Sequence, residues 1–595
     1  MSMPAVQFDM ELILENFTRG ASKDYNIFLG QLSDPEINDD NLVKYLNGLR
    51  HCITSLDRTH EMLVGKVLRL DWAGRRQAVV QVYQSLLLNL VSVHTDYLKA
   101  GLRMIVAQFL PKAKDFMTED EESTRAIQDS VRKKHDVIFI NLHTLLKAIA
   151  QIIPMTPVLL LPLLSEHFPY LKKETYIQEC YVKNLLQVTH YIPSIRQRVL
   201  ELVVDRMIKL DVRCPRHLVE EAESQEDMED GDIFDLEDGG SKKSLFHQSD
   251  EGYISRLGAS ARPMKHKEAD RLDIMMDLVF SYMHNTCYTN GELDWETTKL
   301  LYREMLMIFE RIILPTYASC HVQFIMFYLC SIKESICEGF IDYLWKKVQD
   351  PNTAAIFRQV AVAYMGSLLA RGKFVPLSMV KTCLDLMTKW IHSYLDHSSQ
   401  DTVHADITHH APFYSVCQSL FYVFVFRNKD LIEMKRGYKW VESLNFQRII
   451  TSRLNPLRVI SPLIVKTFAS ITRMHQLAFC DTVIDRNNRM ILPISGDSST
   501  SWAGRETKML DTFFPFDPYL LSRSGRFIIS HYQEFQGNLE EENPETSDEE
   551  EEDMFAEEAA RSVENSLMLP FCNTLAEKST VDFMNYGTSP GFKHH

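Results

Sequence analysis

Apolar residues recur at the spacing of a helix face through most of this chain, and no other feature constrains the fold as strongly. Leu42, Leu46, Leu49, Ile53 and Leu56 follow that spacing. So do Val79, Val80, Tyr83, Leu86, Leu87, Leu90, Val91, His94 and Leu98. Leu142, Leu145, Leu146, Ile149, Ile152 and Ile153 continue the pattern, then Leu200, Val203, Val204, Met207 and Ile208. Side chains three and four apart share one face of a helix, so each set is a stripe that must be covered. No stretch sustains the alternation of a strand. Pro111, Pro154, Pro157, Pro162 and Pro193 fall between the stripes or at their starts, where a helix accepts proline. Gly and Pro number 22 each in 595 residues, which suits long helices better than many hairpins. A helix pair of about 40 residues with one apolar face buries it only by stacking on its neighbours. The expected fold is all-α, a HEAT-like helical-repeat α-solenoid with a disordered acidic loop and an acidic C-terminal tail.

The loop and tail come from composition. EEAESQEDMEDGDIFDLEDGGSKKS, from Glu220 on, has little to bury and much negative charge. Residues 540–553 are nearly all Glu and Asp, and Glu119 to Glu122 form a shorter acidic patch. The expected division is helical repeats over 1–215, a disordered acidic loop over 216–268, further helical repeats over 269–535 and a disordered tail over 536–595. Helical spacing resumes at Leu272, Met275, Met276, Val279 and Phe280. The aromatic, proline-rich stretch 510–518 is expected as a non-helical strap over the last helices.

Net charge is −16, so bulk attraction to nucleic acid is not the default. Eleven cysteines, an odd number without close pairing, read as reduced thiols. The first residues lack the basic and apolar regions of a secretory signal. The longest apolar runs, such as residues 158–164, are far short of the roughly 20 residues that cross a bilayer. The chain is expected to be soluble and intracellular, with no membrane partner.

An enzyme needs a constellation of groups, and none stands out. There is no GxxxxGK[ST] loop, no GxGxxG after a strand and no CxxC pair. Cys320, His321, Cys330 and Cys337 lie on predicted helix and read as core residues. His409 and His410 sit in a predicted polar loop. GTSPG at residues 587–591 spells a nucleophile elbow, but proline stands where the helix should begin. No catalytic residue, cofactor or metal is expected.

Two features point outward. Between Arg427 and Arg473 ten basic residues face three acidic ones, Asp430, Glu433 and Glu442. In an acidic chain this is a local basic zone. Lys435, Arg436, Lys439 and Arg448 are its candidate contact residues for an acidic partner or a phosphate backbone, and Tyr438, Trp440 and Phe446 are neighbours able to stack. The other reading is an ordinary solvated helix face. Ser224 and Ser547 precede acidic residues and suit an acid-directed kinase, and Ser589 precedes Pro590 and suits a proline-directed one. The cluster Asp485-Arg486-Asn487-Asn488-Arg489 fits helix capping and bracing, or a partner contact.

Residues 454–493, a long apolar stretch ending on that cluster, resemble a family. The same resemblance runs through Cys320-His321-Val322-Gln323-Phe324 with Met326-Phe327-Tyr328-Leu329-Cys330, and Leu344-Trp345-Lys346-Lys347 with Gln349-Asp350-Pro351. It includes residues 510–518, Leu68-Arg69-Leu70 before Trp72, and Glu179-Cys180-Tyr181-Val182 with Asn184-Leu185-Leu186. These blocks keep their order over roughly residues 10 to 535. The chain resembles the RNA polymerase I-specific transcription initiation factors of the TIF-IA type.

The resemblance implies a factor without chemistry of its own. It implies binding to RNA polymerase I on the stalk side, through the N-terminal half, and bridging to the promoter-bound selectivity or core factor at ribosomal RNA genes. Regulatory kinases, and weak contact with rDNA, are further implied partners. A nuclear and nucleolar location with cytoplasmic shuttling is expected. Thr175 and Ser194, flanking the helix that holds Tyr181 and Leu185, are candidates for the polymerase face or, alternatively, helix caps. The residues alone leave open a nuclear transport receptor of the karyopherin type, or an enzyme with a site assembled across helices.

Overall fold

The structure is a computed structural model that describes residues 9–111, 124–224, 263–316, 319–397, 407–491, 509–510 and 513–535. Most of the expected acidic loop, the patch at 119–122, and the tail with Ser547 and Ser589 lie outside these residues. The described residues are overwhelmingly helical, as the periodicity requires. Among the described residues the paired strands form one hairpin of two-residue strands, Tyr288–Thr289 and Glu292–Leu293, and an isolated antiparallel bridge joins Gly372 and Tyr532. The turn of the hairpin is Asn290-Gly291, both with positive φ (54° and 83°), the pair that a two-residue hairpin turn favours.

The chain divides into two compact units, residues 1–206 and 207–595. In the first, the α-helices among the described residues are, in order, α1 Met10–Thr18, α2 Lys23–Leu32, α3 Asp39–His51, α4 Glu61–Leu68, α5 Gln77–Val93, α6 Leu98–Ala107, α7 Thr124–Ile152, α8 Thr156–Glu166, α9 Thr175–Tyr191 and α10 Arg196–Asp211. The division falls within α10. From α2 to α9 each helix packs on the one two places along: α2 on α4, α3 on α5, α4 on α6, α5 on α7, α6 on α8 and α7 on α9. That alternation makes two stacked layers, the arrangement expected of HEAT-like pairs.

Local sequence explains the start and stop of α3. Asn38 caps α3 by accepting from the Asp40 N–H at 3.2 Å. Asp39 and Asp40 occupy the first turn of α3, and Arg50 and His51 the last, each sign where the helix dipole favours it. Its buried stripe is Leu42, Tyr45, Leu46 and Leu49, and that of α5 is Val79, Val80, Tyr83, Leu86, Leu87, Leu90 and Val91. One expectation about proline fails. Pro162 lies inside α8 rather than at a helix start. Its ring is on the exposed side of a short helix whose other face buries Leu160, Leu163 and Leu164, so packing holds the helix across the missing hydrogen bond.

The second unit is organised around the helix Ile407–Glu433. It packs against Ala355–Arg371, Leu377–His397 and Pro462–Met474. Every residue from Ala411 to Val425 is buried, so this helix is covered on all sides. Phe421 stacks on Phe468 at 4.1 Å, with Phe424 and Phe446 completing the cluster. His409 and His410, expected in a loop, stand in its first turns. The backbone departs from helical angles at His410, two residues before Pro412, and the Tyr394 hydroxyl lies 2.8 Å from the His410 Nδ1. Cys320 and His321, expected on helix, precede the helix Phe324–Ile332 in a turn.

The loop was expected to start at residue 216, yet Arg216–Ser224 is helical. Its Arg216 guanidinium, half-buried, pairs with Glu220 at 2.9 Å and donates to the Pro518 carbonyl, contacts that composition does not reveal.

The described part of the strap starts beside the last helices, where the Leu510 N–H donates to the Val459 carbonyl at 2.9 Å, and from Phe513 on it also crosses central ones. The Phe516 N–H donates to the Ser367 hydroxyl at 2.9 Å. Phe514 stacks on Tyr422 at 4.0 Å, and Phe516 packs against Phe324 and Phe327. Past Tyr519 the strand of chain continues to Phe535, where the Gln533 N–H donates to the Arg371 carbonyl at 2.7 Å and the Phe535 ring sits 4.9 Å from Phe426.

Candidate interaction surfaces

In the first unit the candidates Thr175 and Ser194 stand at opposite ends of α9. Thr175 is the first residue of the helix, and Glu174 occupies the cap position without a side-chain cap bond. Ser194 is exposed in the 3-10 turn Pro193–Ile195 that precedes α10. Seventeen residues at about 1.5 Å each put them roughly 25 Å apart, so only an extended surface takes in both. Between them the outward stripe of α9 is Lys183, Gln187 and His190, while Tyr181 and Leu185 are fully buried. Lys183 reaches Asp136 of α7 at 3.1 Å.

Behind that stripe α9 is held by a polar node. His143 of α7 lies with Nδ1 2.7 Å from the Tyr191 hydroxyl and Nε2 3.0 Å from the Asn184 Oδ1. The Asn184 amide donates to the Phe109 carbonyl, and Phe109 stacks on the imidazole at 5.0 Å. Burial lowers the His143 pKa to about 4, against the smaller opposing pull of the Asn184 bond. The folded chain therefore keeps His143 neutral where the unfolded chain, with a pKa near 6.5, takes up a proton. The first unit should lose stability as pH falls from about 6.5 toward 4, by about 2 kcal/mol at pH 5 from this group. Denaturant titrations across that range should show the slope, and His143→Gln should flatten it.

In the second unit the basic zone separates into braces and exposed charges. Arg427 is buried and donates to the Leu369 carbonyl at 3.1 Å and the Gly372 carbonyl at 2.8 Å, closing the end of Ala355–Arg371. Burial pushes its pKa down, partly offset by Asp430. Arg448 pairs with Asp396, and Arg473 with Asp481. These acids lie outside the 427–473 window, which is why the zone reads as more basic in sequence than it is in space. Of the aromatic neighbours, Phe446 is buried in the core and Trp440 is half-buried, donating to Asp385 at 2.8 Å under the Lys381 ammonium. Only Tyr438 presents a face, 42% exposed.

What remains is compact. Lys435, Arg436 and Lys439 are exposed and form no ion pair among the described residues. They flank the start of the helix Gly437–Ser443. Arg436 adopts a positive φ of 63°, and a Cβ on Gly437 would meet the Leu431 carbonyl oxygen at 2.1 Å, so this tight turn needs its glycine. The Tyr438 hydroxyl donates to the His475 carbonyl at 3.2 Å, fixing the turn beside the end of Pro462–Met474. Met474 and Phe479, 69% and 60% exposed, add apolar surface nearby.

The cluster 485–489 lies on the helix Asp481–Ile491. Asn487 turns inward and exchanges amide bonds with Asn455 at 2.7 Å and 3.4 Å, bracing a residue at φ 44°. Asp485, Arg486, Asn488 and Arg489 are exposed. One residue of the cluster is thus a brace and the other four are surface. Of the candidate phosphorylation sites, Ser224 ends the helix Arg216–Ser224.

The fold and these surfaces can be set beside known proteins. A sequence model of the RNA polymerase I specific transcription initiation factor RRN3 matches residues 6–539. This chain belongs to the RRN3 family. The mouse RNA polymerase I-specific transcription initiation factor RRN3 is 40% identical over 542 residues, covering 89% of this chain and 81% of the mouse protein. The fission yeast protein of the same description, from Schizosaccharomyces pombe, is 25% identical over 517 residues, 83% of this chain and 80% of its own length. The crystal structure of RNA polymerase I transcription initiation factor Rrn3 superposes with a TM-score of 0.68 at 20% identity, covering 90% of this chain and 99% of that one. At that identity the likeness carries the fold, and it is the helical fold described above. The RRN3 match spans both units, and the family is one of initiation factors, not of a named enzyme class.

Two buried carboxylates in this RRN3-family chain were not legible as sites. Asp211, fully buried, accepts through Oδ2 from the N–H groups of Cys320, His321 and Val322 at 3.1, 2.9 and 2.9 Å, and its Oδ1 lies 3.0 Å from the His321 Nδ1. Asp273 accepts from the N–H groups of Arg523 and Ser524, both at 2.8 Å, and from the Ser524 hydroxyl. Each ties a turn to a helix distant in sequence. Among the described residues no group of three or more His, Cys, Asp or Glu side chains is arranged to hold a metal ion.

Proposed function

We propose that this chain is a transcription initiation factor that binds RNA polymerase I and bridges it to the promoter-bound selectivity or core factor at ribosomal RNA genes. The observation that carries the reading is the RRN3 family match over residues 6–539, which takes in both units and so both candidate surfaces. The first unit, at the α9 face between Thr175 and Ser194, meets the stalk side of the polymerase. The exposed turn of Lys435, Arg436 and Lys439 in the second unit meets the promoter complex, with weak contact to nearby rDNA. The work is done in the nucleus and nucleolus, with cytoplasmic shuttling, and regulatory kinases act at Ser224, Ser547 and Ser589. What supports the two-surface division is that each unit carries its own exposed polar stretch: Lys183, Gln187 and His190 on α9, and the basic turn at Lys435, Arg436 and Lys439.

The test is a two-step recruitment assay. Exposed charges contribute about 0–1 kcal/mol each to folding, so Lys435→Ala, Arg436→Ala and Lys439→Ala together should leave thermal unfolding and polymerase binding unchanged. The same charges act on a partner through screened attraction. Promoter recruitment should fall on the order of tenfold at low salt, with the deficit shrinking as salt rises. Normal recruitment by the triple variant at low salt would remove this surface. Capture of import cargo instead of polymerase subunits from nuclear extract would replace the reading with a transport receptor.

A further inference from the structure

We infer that the basic turn at Lys435, Arg436 and Lys439 is a docking surface for the chain's own acidic tail, residues 540–553. Four observations converge on it. The first is where the described chain ends. The Phe535 ring packs on Phe426, near the C-terminal end of the helix Ile407–Glu433. That helix leads directly into Lys435 and Arg436.

The second is reach. Phe426 and Lys435 are separated by about two helical turns and a tight turn, on the order of 15 Å. The five residues from Phe535 to Glu540 extend up to roughly 17 Å. The acidic stretch therefore starts within reach of the turn, and its remaining residues can only add slack.

The third is charge. Residues 540–553 hold ten Glu and Asp in fourteen positions and no Lys or Arg. Lys435, Arg436 and Lys439 are exposed, whereas Arg427, Arg448 and Arg473 already have carboxylate or carbonyl partners. The acids beside the turn do not neutralise it: Asp430 faces Arg427 at 3.6 Å, leaving Glu433 and Glu442 against three cations and Lys429.

The fourth is apolar complementarity. The acidic run ends on Met554-Phe555. The turn is bordered by Tyr438, Met474 and Phe479, exposed at 42%, 69% and 60%. An acidic segment with an aromatic end matches a basic turn rimmed by exposed apolar side chains. Tethering raises the effective concentration of such a segment to the millimolar range, so weak contacts suffice for occupancy. The side chains are those assigned above to the promoter complex, so a docked tail competes with it, but the docking itself does not depend on that assignment.

Zero-length carbodiimide cross-linking of the full-length chain, alone in solution, reads the contact directly, because it joins a lysine ammonium only to a touching carboxylate. At about 0.05 M salt, Lys435 and Lys439 should join the 540–553 peptide on the order of tenfold more often than do the exposed Lys44, Lys172 and Lys267. At about 0.5 M salt the preference should disappear. Replacing Glu549, Glu550, Glu551 and Glu552 by Gln removes four tail charges and should weaken the remaining cross-links from Glu540–Glu542 to the turn while leaving the melting temperature unchanged. Tail cross-links spread evenly over the exposed lysines, or a pattern indifferent to salt, would overturn the proposal. So would cross-links to the turn that, in a mixture of isotope-labelled and unlabelled protein, join two different chains.

Discussion

Asp211→Ala should destabilise the second unit by on the order of 3–5 kcal/mol, lowering its melting temperature by roughly 10 °C. The side chain is fully buried and its Oδ2 takes three consecutive backbone N–H groups, from Cys320, His321 and Val322. The His321 and Val322 donors are buried and that of Cys320 is half-buried, so removing the carboxylate leaves buried N–H groups without their hydrogen-bond acceptor. The turn they define leads into Phe324–Ile332, where Phe324, Phe327 and Leu329 are completely buried, so loosening it loosens the packing of the strap as well. Asp211→Asn is the informative companion. Its carbonyl oxygen can take the place of Oδ2 and its amide can face the His321 ring, so the loss should be a small fraction of that for alanine. Equal losses for the two variants, or an unchanged melting temperature for alanine, would show that these bonds do not hold the turn.

That carboxylate also marks where reading the sequence stops. Leu42 to Leu56, Val79 to Leu98 and Leu142 to Ile153 announce helices because the signal is local: 3.6-residue spacing is written into each segment. The Asn290-Gly291 hairpin is local in the same way, and the pair is the turn chemistry that a two-residue loop demands. Asp211 with residues 320–322, and Asp273 with residues 522–524, join positions more than one hundred and about two hundred and fifty residues apart. No spacing rule connects them, and a single Asp at the end of a helix looks like surface. His409 and His410 were misplaced for a related reason. Pro412 suggests a break, and the backbone does kink at His410, but the residues on both sides of the kink are helical and Tyr394 bonds His410 there.

The surfaces were legible by residue type but not by orientation. Counting charges between Arg427 and Arg473 treats all ten cations alike. In space Arg427 closes a helix end, Arg448 and Arg473 meet acids from outside the window, and Lys435, Arg436 and Lys439 are left outward. The discriminating signal was present in part: Gly437 follows Arg436 and marks a tight turn, which is where charges point to solvent. In the 485–489 cluster, Asn487 faces inward because it must partner Asn455, a contact across 32 residues that composition does not encode.

Thr175→Asp and Ser194→Asp should each weaken polymerase binding by about 2 kcal/mol, on the order of thirtyfold, if the α9 face docks on the enzyme. Both residues stand at helix starts, where an acid is compatible with the fold. Thr175 is the first residue of a seventeen-residue helix, where a carboxylate is favoured by the helix dipole by about 0.3–1 kcal/mol. Ser194 is exposed and lies just ahead of the helix Arg196–Asp211, so an acid there is also on the favourable side of a dipole. Ser194→Asp should leave the melting temperature unchanged; Thr175 is half-buried, so for Thr175→Asp the melting temperature is measured beside binding, and a loss of binding at constant melting temperature reports on the interface. The two sites also test its extent. They stand roughly 25 Å apart with Lys183, Gln187 and His190 between them, so a contact covering the whole stripe loses affinity at both ends and nearly additively. A loss at one end alone places the polymerase at that end. Wild-type affinity for both variants, measured with purified polymerase at low salt, would remove α9 from the interface.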